Sequence, residues 1–249
     1  MGLSSNSLIH ITKNKTSLKG ILTGDFKIKY CLETMYSDSF EYVFGVPMVS
    51  FCDIPLSQVK NHIKSYGSYG IGLSRKWAIK NGLNPVLYIE KNSALAEHTF
   101  DVLYDNILDN KKVEELTEAE LALADFFRYS KNYEGELIRS GKTINSEYRF
   151  SDEREWRYCP EKNVLKKNPY IIDNDAEYRK NKARYNSSVS KIRLKFEPDD
   201  ITYIIIKKES EISEFVRFLE DAKGKKFSME QVRRLTTRII TTEQIKTDF

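Results

Sequence analysis

Long apolar runs are missing from this sequence. The longest, such as Ile201 to Ile206, fall far short of the roughly 20 residues that a membrane-spanning helix needs. The N-terminal MGLSSNSLIH has neither the basic region nor the apolar stretch of a signal peptide. Asn6 stands where an acylation motif wants Ser or Thr, so neither export nor lipidation is expected. Cysteine is scarce. Cys31, Cys52 and Cys159 are an odd number, widely spaced and without a CxxC, which points to a reducing cytoplasm and away from a structural zinc site. His10, His62 and His98 are as scattered, so no metal site is expected. Strong charge of one sign is absent as well, since a net charge of +4 permits an anionic partner without requiring one.

What remains is a globular composition of 249 residues, 40% apolar and 31% charged, enough to bury a sizeable core. The chain shows no internal repeat and reads as a single domain over 1–249. SLIHIT (7–12) reads as a strand. A short helix follows, capped by Thr16 or Ser17, buried through Leu18, Ile21 and Leu22 and ended by Gly24. PMVSFC (47–52), IGLS, PVLYIE, KIRLKFE, ITYIIIKK and RIITTEQI read as further strands. Helices are expected from Ser57, over RKWAIKNG, after Ser210 and after Ser228. Residues of about 91–141 form a helical insertion, with Leu121, Leu123, Ala124, Phe126 and Phe127 as its core contacts. The polar stretch of about 161–190 reads as a long mobile loop. Strands lie too close in sequence for regular parallel crossovers, so the fold class is α+β with a mixed sheet.

Three motifs could carry chemistry. His10 and Thr12 share one face of the first strand and could reach one ligand together; the plainer reading is a satisfied core histidine. SYGSYGIGL (65–73) offers Tyr66 and Tyr69 at a glycine-rich turn that could stack a planar ring. It does not fit GxGxxG, and a turn with ordinary aromatic packing serves as well. In SDEREWRYCP, Glu155, Arg157 and Cys159 face one way on a strand and Trp156 and Tyr158 the other. Asp152, Glu153 and Arg154 read as its solvated approach. Glu155 could stabilise positive charge in a cleft, or lie on a solvated edge strand.

SLIHITKN, the block PMVSFCDIPLSQVKNHIKSYGSYGIGLSRKWA, NGLNPVLYI and DEREWRYCP together resemble the AbiGi family of abortive phage-resistance proteins, over about residues 7–206. Pro47 to Ile89 is the most specific part. That family name is attached to the antitoxin half of a phage-defence pair. The opening HIT and the EWRYCP strand are also similar to the DarT-type ADP-ribosyltransferases that modify nucleic acids. That second resemblance implies an ADP-ribosyltransferase-like sheet and NAD as the substrate. His10 and Thr12 would hold the dinucleotide, Tyr66 or Tyr69 would stack on nicotinamide, and Glu155 would be the catalytic acid. The arginine of the DarT-type second motif has no counterpart in SFCDIPLS, where Asp53 stands and Arg75 is distant. The transferase would act as a toxin in abortive infection on single-stranded nucleic acid, RNA before DNA, held by Lys166, Lys167, Arg179, Lys182 and Arg184 with Tyr170, Tyr178 and Tyr185 stacking on unpaired bases. A neutralising protein partner is expected with it. The alternative is a catalytically inactive antitoxin or regulatory subunit.

Overall fold

A computed structural model describes residues 5–37, 41–103, 115–139, 142–222 and 227–248. It is mixed α+β, as the sequence reads. Contacts gather the chain into two compact units. The first is Met1–Lys27, Ser50–Leu83 and Arg193–Phe249; the second is Ile28–Val49 and Asn84–Ile192.

In chain order, β1 (Ser7–Thr12) leads to α1 (Lys15–Gly24). The cap of α1 is Asn14, whose side chain accepts from the Ser17 N–H, so Thr16 and Ser17 lie inside the helix. β2 (Phe26–Lys27) and β3 (Lys29–Tyr36) precede β4 (Glu41–Cys52), of which PMVSFC is only the second half. Then come α2 (Val59–Tyr66), β5 (Tyr69–Ser74), α3 (Arg75–Lys80), β6 (Asn84–Pro85) and β7 (Leu87–Ile89). Among the described residues of 91–141, expected to be a helical insertion, α4 (Ala94–Leu103) and α5 (Glu118–Arg128) are helical, and from Ser130 onward the chain is strand. Thr117 and Glu120 close a reciprocal cap on α5, and Ala124 and Phe127 are buried while Leu123 is exposed. β8 (Ser130–Asn132), β9 (Glu134–Arg139), β10 (Lys142–Arg149) and β11 (Glu155–Tyr158) follow. The stretch read as a mobile loop carries two helices, α6 (Lys162–Leu165) and α7 (Asp175–Ser188). β12 (Arg193–Leu194), β13 (Ile201–Ile206), α8 (Ile212–Asp221), α9 (Met229–Thr236), β14 (Ile239–Thr241) and α10 (Thr242–Asp248) complete the chain. RIITTEQI stops being a strand at Thr241 because Thr241 and Gln244 bond reciprocally and start α10.

The first unit is a sheet in the order β14-β13-β5-β1, with Cys52 at the end of β4 opposite Ile9. β1 and β5 pair antiparallel from Ser7↔Ser74 to Thr12↔Tyr69. One face buries Ile9 and Ile205 against Ile54, Val59, Ile63 and Ile245. The glycines of SYGSYGIGL belong to this packing more than to a loop. A Cβ at Gly72 would lie 2.7 Å from the Thr202 hydroxyl, so β5 is central because its glycines let β13 close on it. Gly67 ends α2 at φ 135°, and a Cβ there would fall 2.4 Å from the Thr12 carbonyl oxygen.

In the second unit β3 and β4 form a long antiparallel ladder, Lys29↔Met48 to Tyr36↔Glu41. β11 lies next to β4 and pairs with β6 through Trp156↔Pro85 and Arg157↔Asn84. β7 runs parallel to β8, and β9 and β10 form a separate two-stranded ribbon. Side chains cover parts of the edge of β3. Asn132 bonds both the N–H and the C=O of Tyr36, the first at 2.7 Å and the second at 3.0 Å.

Two glycines should respond oppositely to alanine. Gly67→Ala is expected to cost about 3 kcal/mol. Gly20→Ala, exposed within α1 with nothing within 4 Å of its would-be Cβ, should add about 1 kcal/mol, both read from urea unfolding.

Candidate functional site

In the first unit, β1 and β5 bring His10, Thr12 and Tyr69 to one sheet face, with Tyr69 directly opposite Thr12. His10 sits in an aromatic setting. Its Nδ1 is 2.8 Å from the Ser50 carbonyl oxygen, and its ring meets Phe26 edge-on at 5.2 Å and Phe51 at 5.6 Å. Tyr69 is buried, and its hydroxyl donates to Glu211 at 2.9 Å. Burial, followed by that bond to a carboxylate, pushes the phenol up to about 12. Lys15 bridges Glu211 and Glu214 behind it. Tyr66 lies at the end of α2, its ring stacked on His62 at 5.6 Å. Asp53, which stands where the arginine motif has no counterpart, is bonded to Arg75 at 2.7 Å and also accepts from the Ser5 N–H.

Glu155 belongs to the second unit, where it lies inside a buried charge cluster instead of on a solvated strand. Its Oε1 accepts from Arg157 Nε at 2.8 Å, and its Oε2 from Lys131 Nζ at 2.9 Å and Arg157 Nη2 at 3.4 Å. Arg157 is fully buried; it also donates to Glu33 at 2.8 Å and to the carbonyls of Arg128 and Ser130. Lys131 reaches Glu153 at 3.3 Å. Glu153 is therefore not part of a solvated approach: it is 4% exposed, and Asp152 alone of the three is exposed. Burial pushes the Glu155 carboxyl up, but Arg157 and Lys131 outweigh it and hold it at about 2. Burial likewise pushes Lys131 and Arg157 down. The carboxylates of Glu155, Glu153 and Glu33 reverse that for Lys131, and those of Glu155 and Glu33 for Arg157. The backbone N–H of Glu155 donates to the Tyr88 hydroxyl at 2.8 Å.

The sequence places Arg157 on the Glu155 face; the cluster members it does not connect to them are Glu33 and Lys131. Their one signal is a charge set inside a strand-like run, as in YCLETMY. Next to them Arg128, also buried, donates to Asp125 and to the Pro160 carbonyl and lies 3.7 Å over the Tyr170 ring. Among the described residues no group of three or more His, Cys, Asp or Glu could hold a metal ion, and no helix is long and apolar enough to cross a membrane.

Lys166, Lys167, Arg179, Lys182 and Arg184 are all exposed. The tyrosines expected to stack beside them are turned elsewhere. Tyr170 is buried and donates to Asp125, Tyr178 is buried and donates to the Tyr30 carbonyl, and Tyr185 donates to Glu177.

A family model described as "Putative abortive phage resistance protein AbiGi, antitoxin" matches residues 25–207. A relative from Lactococcus lactis subsp. cremoris, "Abortive phage resistance protein AbiGi", is 28% identical over 224 residues, covering 82% of this chain and 89% of the relative. No solved structure matches.

The cluster makes Glu155 a stability residue. Its folded-state value lies below the ordinary 4.5, so it contributes stability above that pH, lost as pH falls from about 4.5 through about 2. Glu155→Gln leaves Arg157 and Lys131 with one partner fewer and should cost about 3–5 kcal/mol at neutral pH, a gap that narrows in acid. Urea unfolding at pH 7 and pH 3 measures it.

Proposed function

Because the chain belongs to the AbiGi family of abortive phage resistance proteins, we propose that it is the antitoxin of a phage-defence pair, restraining a toxin without turnover of its own. One observation carries this reading: both oxygens of Glu155 are engaged, by the buried Arg157 and the partly buried Lys131. A catalytic glutamate that splits the nicotinamide-ribose bond must accept from the ribose hydroxyl and face a developing cation. Glu155 would first have to leave Arg157 and Lys131, at a cost of about 3–5 kcal/mol for a broken buried pair. The carboxylate neutralises an arginine that has no water to solvate it.

The competing reading is an NAD-dependent ADP-ribosyltransferase. It draws support from the shared face of His10, Thr12 and Tyr69. Against it, Tyr69 is committed to Glu211, and one side of the half-buried His10 ring packs on Phe26 and Phe51.

Two arms separate the readings. Depleting the chain in a host that carries it should free the toxin and stop growth, whereas depleting a toxin should not. Purified wild-type protein given labelled NAD should release nicotinamide at the background rate. Growth arrest on producing the chain alone, together with nicotinamide release, would establish the transferase and remove the antitoxin reading.

A further inference from the structure

α7 has no apolar stripe. Its inward side is held by polar bonds: the Tyr178 hydroxyl donates to the Tyr30 carbonyl at 2.6 Å, and the Tyr30 N–H donates to Asn186 Oδ1 at 2.9 Å. The helix thus binds both backbone groups of one residue on β3, and the Tyr185 ring rests edge-on against Tyr30 at 5.9 Å. One bond comes from each half of α7, on either side of Asn181.

α7 is kinked at Asn181 (φ −111°, ψ 20°); Lys180 before the kink and Lys182 and Arg184 after it are exposed, as are Ala176, Ala183 and Ser187. From Arg179 to Ile192 the chain has five bases and no acid: Arg179, Lys180, Lys182, Arg184 and Lys191. Asp175 and Glu177 are confined to the first turn, where they suit the positive end of the helix dipole, and Asp175 takes Arg179 at 2.9 Å. Among the described residues, Lys180, Lys182 and Arg184 make no ion pair.

We propose that the exposed basic run Lys180, Lys182 and Arg184 of α7 binds the phosphodiester backbone of duplex nucleic acid without regard to sequence. Free bases separated by alanine and serine let the helix approach phosphates closely. A protein interface of this size needs a buried apolar or aromatic anchor, and α7 exposes no large apolar side chain. Single strands are held by stacking, but Tyr170 and Tyr178 are buried and Tyr185 is bonded to Glu177. The inference stands apart from the antitoxin reading.

Fluorescence anisotropy of the full-length protein tests it, with labelled mixed-sequence DNA duplex, RNA duplex and single strand of equal length. Three phosphate contacts give a log-log salt slope of about −2.7 on B-DNA, or about 40-fold weaker binding between about 50 and 200 mM salt. The variant Lys180→Gln/Lys182→Gln/Arg184→Gln should melt like wild type by circular dichroism and lose both the affinity and most of the slope. The two duplex arms tell DNA from RNA as the source of the backbone. Absent or salt-independent duplex binding, binding that survives the triple variant, or tighter binding to the single strand would each overturn the proposal.

Discussion

An arginine with no exposed surface cannot give up its charge, because its pKa lies far above any pH at which the fold exists. Arg157 therefore has to be neutralised from inside, and the second unit is organised around doing so. Glu155 sits two residues away on the same side of β11, Glu33 comes from β3, and the last residue of α5 and the first of β8 supply carbonyls. Lys131 then takes up the acid left over, tying Glu153 into the same group. Each charge is tolerable because the others are present, which makes the cluster cooperative and sensitive to the loss of any one member.

Parts of this were legible in the chain. Alternation put Glu155 and Arg157 on one face of β11, and the Ser228 cap placed α9 correctly. Whether that β11 face looked inward depended on residues 33 and 131, far away in sequence, which no local pattern connects. The glycines of SYGSYGIGL looked like a loop because glycine weakens strands in general. Gly70 and Gly72 sit in β5 at the centre of a sheet, where neighbouring strands leave no room for a Cβ. The segment 161–190 looked unstructured because α7 is anchored by tyrosine hydroxyls and an asparagine amide, groups that periodicity does not score.

The site residues show the same division. His10, Thr12 and Tyr69 do share a face, so the geometric half of that expectation follows from strand register alone. Their neighbours changed its meaning. Phe26 and Phe51 pack against the half-buried imidazole, and Glu211 takes the buried phenol.

A double-mutant cycle between Glu155 and Arg157 tests the structural role of the carboxylate most directly. Glu155→Gln, Arg157→Met and the double variant would be compared by urea unfolding at neutral pH. A coupling of about 2 kcal/mol or more, with the double variant more stable than the single costs sum to, is the expected result. Costs that add within about 0.5 kcal/mol would mean that Glu155 does not hold the arginine, and would return it to the list of groups free for chemistry.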